Sequence, residues 1–309
     1  MLGQFLRRLI AALPTFLVLL GAAFLFLRLA PGGPFDASRP SPSPIERRLD
    51  ADYHRSAQPT MQVLDFAQGL SRADLGASMS NADKDVAQIV SEGAAWTAIL
   101  GASALVLALV VGGGVGVAAA LRPGTIVDRV IGGGALIFVC LSPLLLAPLL
   151  QRAFAIEWRW LPEGGADRDA FDLRALALPI IALAAPSVAH VALRTREDMT
   201  LALNAAACRS ARAKGLSERA IFWRHAFAPV LLAMMKRMGE VLAGVCAGSL
   251  VVETLFQLPG IGRALVIAAR QHDVTVVGGV VLVYAAAIVA LTWCADLAAR
   301  ALDPRMRIA

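Results

Sequence analysis

The sequence predicts an all-α integral membrane protein with six transmembrane helices. Three observations predict it. Hydrophobic residues make up 58% of the 309-residue chain and charged residues only 17%, with a mean hydropathy of +0.66. Apolar runs of about 20 residues recur, the length that crosses a bilayer as a helix. Basic residues gather in alternate connecting segments, which in a membrane protein is a topology signal. The net charge of +6 is read the same way, and with few aromatics interleaved among the basic residues it excludes a nucleic-acid footprint.

Residues 1–29 hold the first span. Arg7 and Arg8 precede a run over 9–27 without a charge, and Arg28 closes it before Pro31-Gly32-Gly33-Pro34. Arginine ahead of an apolar run also fits a signal peptide. The run is longer than a usual h-region, which favours an uncleaved span with a cytoplasmic N-terminus. Residues 30–94 change character: Pro and Ser cluster at 40–44, and nine acids outnumber six bases. They read as a small extracytoplasmic region packed on the spans, with weak helical spacing over 60–70.

Residues 95–309 form a five-helix core. The second span, 95–121, carries Gly112, Gly113, Gly114 and Gly116, which allow close helix approach, and Arg122-Pro123-Gly124 ends it. The third, 130–150, is kinked by Pro143 and Pro148, a break that neighbouring helices can satisfy inside a membrane. A loop over 151–174 puts Trp158 and Trp160 in an interfacial belt. The fourth span is 175–193, with Pro179 and Pro186; the fifth is 229–252 and the sixth 274–297.

Between the fourth and fifth spans lies the polar stretch 204–219. Asn204 is placed to cap a helix start. Arg212 and Lys214 fall in its last turn, where cations suit the helix dipole. Gly215 is placed to take the left-handed conformation that ends it, and Ser217, with Glu218 after it, to cap the next helix. With a cytoplasmic N-terminus and six spans, the cytoplasmic segments are 1–8, 122–129, 194–228 and 298–309, and they hold 14 of the 29 basic residues. The positive-inside rule therefore puts 204–219 in the cytoplasm.

Enzyme chemistry finds no foothold. There is no HExxH or GxSxG, and no GxxxxGK[ST] loop to cradle nucleotide phosphates. If the protein does work driven by ATP, another chain binds the ATP. Cys140, Cys208, Cys246 and Cys294 show no CxxC spacing and no paired His motif, so they read as reduced thiols without a disulfide framework or metal.

The ionisable residues within spans are the other candidates. Lys236 and Glu240 are four apart on the fifth span and share a face, with Arg237 beside them. They either line a substrate path or snorkel to the cytoplasmic surface, with Glu240 pairing the two bases. Glu253 is read as an external loop residue, His190 as a packing residue and His225 as support for the polar stretch.

An ordered series of motifs then covers essentially the whole chain. It begins with Phe5-Leu6-Arg7-Arg8-Leu9, Pro14-Thr15 and Arg28-Leu29-Ala30-Pro31-Gly32-Gly33-Pro34-Phe35. Asp74-Leu75-Gly76, Trp160-Leu161-Pro162 and Arg194-Thr195-Arg196 follow. Most specific is Arg209-Ser210-Ala211-Arg212-Ala213-Lys214-Gly215-Leu216, then Arg224-His225-Ala226. Val252-Glu253-Thr254, Leu258-Pro259-Gly260-Ile261-Gly262 and Asp303-Pro304-Arg305 complete it. In this series the chain resembles the permease subunits of binding-protein-dependent ABC importers, in particular the B-type members of the dipeptide/oligopeptide branch.

The resemblance implies the type I ABC importer permease (MetI-like) fold in a bacterial inner membrane, with both termini cytoplasmic. It implies a transport subunit and not an enzyme, forming half of a path for oligopeptides or dipeptides. The partners would be a homologous second permease, two ABC ATPase subunits and an extracytoplasmic peptide-binding protein, with lipid around them and no nucleic acid. No cofactor would be bound by this chain, ATP and Mg being held by the ATPases. The same motifs serve import of nickel chelates, glutathione or peptide antibiotics, and a stand-alone secondary transporter is the alternative of a different class. Residues 209–216 would form a coupling helix that docks on an ATPase, with Ala211 and Ala213 permitting a close fit and Gly215 setting the angle of transmission. Glu-Ala-Ala of the broader family reads Arg209-Ser210-Ala211 here, and Ala233 replaces a frequent proline, which implies a straighter fifth span. Lys236, Arg237 and Glu240 are charges the family pattern does not call for, and they are candidates for gating.

Overall fold

The computed structural model describes residues 75, 76, 78, 84–165, 173–271 and 273–302. The expected first span over 9–27, the weak helix over 60–70 and the Asp303-Pro304-Arg305 motif lie outside the described residues. The described residues form nine helical elements. These are α1 (Val86–Ala120), α2 (Ile126–Cys140), α3 (Pro143–Glu157), α4 (Leu173–Leu203) and α5 (Ala206–Ala213). After them come α6 (218–236), α7 (Met238–Leu255), α8 (Ile261–Arg270) and α9 (Val274–Leu302). α6 is a composite of an α turn Glu218–Ile221, a π turn Phe222–Ala226 and an α segment Phe227–Lys236.

Four of these helices, α1, α4, α7 and α9, are long and apolar enough to cross a membrane. The pair α2–α3 makes a fifth if it is counted as one broken span. The kink expected at Pro143 is present and far sharper than a kink: the two helices meet at 103°. The cause is local. Leu141 is extended, with ψ 109°, and Ser142 accepts from the Leu144 amide as an N-cap. Pro143 at the first helical position disfavours a helical residue before it, so α2 must stop and α3 must start afresh. Pro148 stays inside α3. The segment 151–157, expected as loop, is a π turn that continues α3. Trp158 and Trp160 follow it, 53% and 70% exposed, as an interfacial pair would be.

Two compact units divide the chain. The larger comprises Ala98–Leu258 and Ala290–Ala309. Its centre is α4, which touches the later part of α1, α2, α3, α6 and α7. Half of the most apolar window of α4 is buried, against 28–33% in the other candidate spans. Small residues make this possible. A Cβ on Gly112 would lie 2.6 Å from the Val188 carbonyl oxygen, and one on Gly116 would lie 2.5 Å from that of Ala192. Gly114, read with them from the sequence, faces open space.

The smaller unit comprises Met1–Thr97 and Pro259–Val289. Its core gathers Val86, Ile261, Ala268, Val276, Val277 and Val280. Gly93 lets α1 approach α8, since a Cβ there would lie 2.7 Å from the Ile261 amide nitrogen, and that amide donates to Thr97 Oγ1 at 3.0 Å. Buried Asp273 starts α9 by accepting from the Val276 amide at 3.1 Å and from Ser78 Oγ at 2.6 Å. α8 was not expected from the sequence, and Glu253, expected in an external loop, is a fully buried residue of α7.

Candidate functional site

The polar stretch is built from the end of α4, all of α5 and the start of α6. α4 runs on to Leu203, so Arg194 and Arg196 sit on the helix and not in a loop. Asn204 does not cap α5. Its Nδ2 donates backwards to the Thr200 carbonyl at 3.0 Å, and Ala205 stands at the N-cap without a side-chain acceptor. The other end forms as its residues dictate. Gly215 takes φ +79°, its amide donates to the Arg212 carbonyl, and the Leu216 amide reaches the Ala211 carbonyl. These two bonds make a Schellman cap. Ser217 then caps α6 by accepting from the Ala220 amide at 3.4 Å.

α5 is strongly two-faced. Cys208 and Ala211 point inward and join Ala120, Met199, Ile221, Ala226 and Val230 in one apolar cluster, with Leu216 packed against it. Arg209, Ser210, Ala213 and Lys214 are exposed. Ala211 therefore belongs to the protein's own core and cannot be part of a close fit to a partner; Ala213 can. Arg212 is committed as well. Its Nε donates to Glu218 Oε1 at 2.7 Å, Nη2 to Oε2 at 3.2 Å and Nη1 to the Leu203 carbonyl at 3.2 Å. One guanidinium thus ties the end of α4, α5 and the start of α6. The Arg212 hydrogen bond holds the Glu218 carboxyl below its ordinary range, and the same bond raises the guanidinium.

The second candidate group does not act as a trio. Arg237 occupies the single-residue break between α6 and α7, with φ −95° and ψ 2°. Its Nη1 donates to Asp198 Oδ2 and its Nη2 to Asp198 Oδ1 at 3.2 Å, a two-pronged pair across to α4. Glu240 pairs with neither base; its Oε2 lies 3.8 Å from His190 Nε2 on α4. Lys236 is exposed. His225 is exposed in the π turn and so supports the polar stretch less than expected. The π turn precedes Pro229, which has no N–H to give the His225 carbonyl, and with the break at Arg237 it replaces the straight entry expected of this segment.

Two acids were missed by sequence reasoning. Asp198 is one. Asp128 is the other: at the start of α2 it receives Arg196 Nε, and Nη2 at 2.9 Å, in a second two-pronged pair. Neither has a sequence signal, because the partners are 39 and 68 residues away.

Known proteins resemble the chain along nearly its whole length. A family model described as binding-protein-dependent transport system inner membrane component matches residues 112–308. The chain is 36% identical over 307 residues to the oligopeptide transport system permease protein OppB of Salmonella typhimurium strain LT2, covering 99% of this chain and 100% of that protein. The protein of the same name from Escherichia coli strain K12 is also 36% identical, with the same coverage. The dipeptide transport system permease protein DppB of Bacillus subtilis strain 168 is 29% identical over 303 residues, covering 98% of this chain and 97% of that protein.

Proposed function

We infer the work of this chain from its family: it belongs to the binding-protein-dependent transport system inner membrane components, and is a multi-pass membrane permease of the peptide ABC type. We propose that it forms half of the path of an ATP-driven importer of oligopeptides or dipeptides. The other half is a homologous permease, the motor is a pair of separate ABC ATPases that hold ATP and Mg, and an extracytoplasmic binding protein delivers the peptide. The observation that carries this reading is α5. It buries Cys208 and Ala211 in its own cluster and leaves Arg209, Ser210, Ala213 and Lys214 as an outward face between two long helices. That face is the proposed contact with the ATPase, on the cytoplasmic side where basic residues concentrate. Gly215 and Leu216 hold its orientation. Lys236 and Glu240 are proposed as pathway or gating charges, since charges at membrane depth face cavities or partners. Arg237, forked onto Asp198, is proposed to bear on gating only through that pair and not by lining the path.

The test is reconstitution of the chain with its partner permease, ATPases and binding protein in proteoliposomes. Peptide added with binding protein should stimulate ATP hydrolysis and accumulate inside. Arg209→Glu with Lys214→Glu should weaken assembly with the ATPases. Peptide uptake by this chain alone, without ATPases, would overturn the reading.

A further inference from the structure

The proposed docking of α5 needs a route by which a push on one short helix moves the spanning helices. Gly215 is the obvious bend, and the geometry argues against it. Its Schellman bonds are made, and Arg212 closes the elbow on both sides through Glu218 and the Leu203 carbonyl. The apolar cluster underneath draws on α1, α4, α5 and α6 together. The elbow is therefore a closed corner and moves as a piece.

Beyond the π turn at Phe222–Ala226, whose Ala226 packs into that same cluster, the next irregular point is Arg237. Its backbone leaves the helix for one residue, and Gly239 just beyond it packs against Thr292, with a would-be Cβ 3.0 Å from Thr292 Cγ2. At that same point the side chain forks onto Asp198, whose side chain is 14% exposed. Asp198 lies on α4 two residues past Arg196, which is itself forked onto Asp128 of α2. α4 and α6 are the two limbs that carry α5, and the Asp198–Arg237 pair ties the last turns of α4, five residues before Leu203, to the end of α6 that lies farther along the chain from α5. A fork fixes orientation as well as distance, which an apolar contact of equal strength would not.

We propose that Asp198 and Arg237 are a positioning pair for coupling. They make the ends of α4 and α6 one body with α5, so that displacement of α5 is delivered to α7 by flexure at Arg237 and not at Gly215. This rests on the reading of α5 as the ATPase contact. The test is the number of ATP molecules hydrolysed per peptide accumulated in the reconstituted full complex. Asp198→Asn and Arg237→Gln should retain peptide-stimulated hydrolysis while uptake falls about tenfold, within the usual range of coupling between sites. The exchanged variant, Asp198→Arg with Arg237→Asp, should restore the ratio to within about threefold of wild type, within the same measure. A wild-type ratio in both single variants overturns the proposal. So does joint loss of hydrolysis and uptake that the exchange does not restore. If the neutral variants do not assemble, Arg237→Lys keeps the charge and loses the fork; a raised ratio in it supports the pair, and a normal one overturns it. Wild-type complex that shows no ATP-dependent uptake would instead refute the function on which the pair depends.

Discussion

At the scale of single residues, two glycines separate two kinds of constraint. Gly215 has φ +79° and open space where a Cβ would sit. Gly215→Ala should therefore cost only the left-handed backbone penalty, about 1–2 kcal/mol. Gly116 has no such φ, yet its Cβ would meet the Ala192 carbonyl and the Thr195 Cβ, the latter at 2.7 Å. Gly116→Ala should cost about 1–3 kcal/mol through overpacking, and Gly116→Val more. Thermal unfolding in detergent measures both, and equal loss for Ala and Val at Gly116 would contradict the packing account. The Arg212–Glu218 fork gives a pH dependence whose sign is fixed. The folded carboxyl lies below its unfolded value, so its contribution is complete above the ordinary glutamate range and is lost as pH falls through the lowered folded value. Amide protection in α5, taken against the intrinsic exchange rate at each pH, should fall as pH drops below the ordinary glutamate range. In Glu218→Gln that protection should already be lower at neutral pH and should fall less on acidification.

At the scale of elements, what could be read in the sequence was what is encoded locally. The apolar runs named α1, α4, α7 and α9, and Gly215 and Ser217 placed the corner between α5 and α6, because a left-handed residue and an N-cap act over three or four positions. Helix limits were misplaced where a helix continues past its apolar part. α1 begins at Val86 and α4 ends at Leu203, and Glu92 or Arg196 disqualify a membrane segment without breaking a helix. α8 was invisible because ten residues are too few to span. Asn204 was misread because its amide can bond backwards as easily as forwards. The α2–α3 corner tests the local account of a bend. With Ser142→Leu and Pro143→Ala, the N-cap and the restriction on residue 142 are both gone. Spin labels at Val130 and Arg152 should then move apart as 126–157 straightens. An unchanged distance would mean that the contacts of α3 with α4 and α7 hold the corner instead.

At the scale of the whole molecule, the distribution of charge makes a prediction about sidedness that packing does not. Seven of the basic residues assigned to cytoplasmic segments fall in 194–228, around α5. Holding that segment and 151–165 on opposite sides requires α4 to cross between them, and α4 is the most deeply embedded of the candidate spans. Two single cysteines decide the matter. Ser210→Cys is on the exposed face of α5, and Glu163→Cys is exposed near Trp160 on the other side of α4. A membrane-impermeant maleimide should add label to Ser210→Cys only in inside-out vesicles and to Glu163→Cys only in right-side-out ones. Cys140 and Cys294 are exposed and Cys246 is half-buried, so all three are first replaced by alanine; native Cys208 is buried in the α5 cluster and adds no background at the position being tested. Label on both sites from one side would remove α4 as a span and with it the proposed docking face on the cytoplasmic side, whatever the sequence similarity. Label in the reversed sense would invert the positive-inside assignment and leave α5 on the side without ATP.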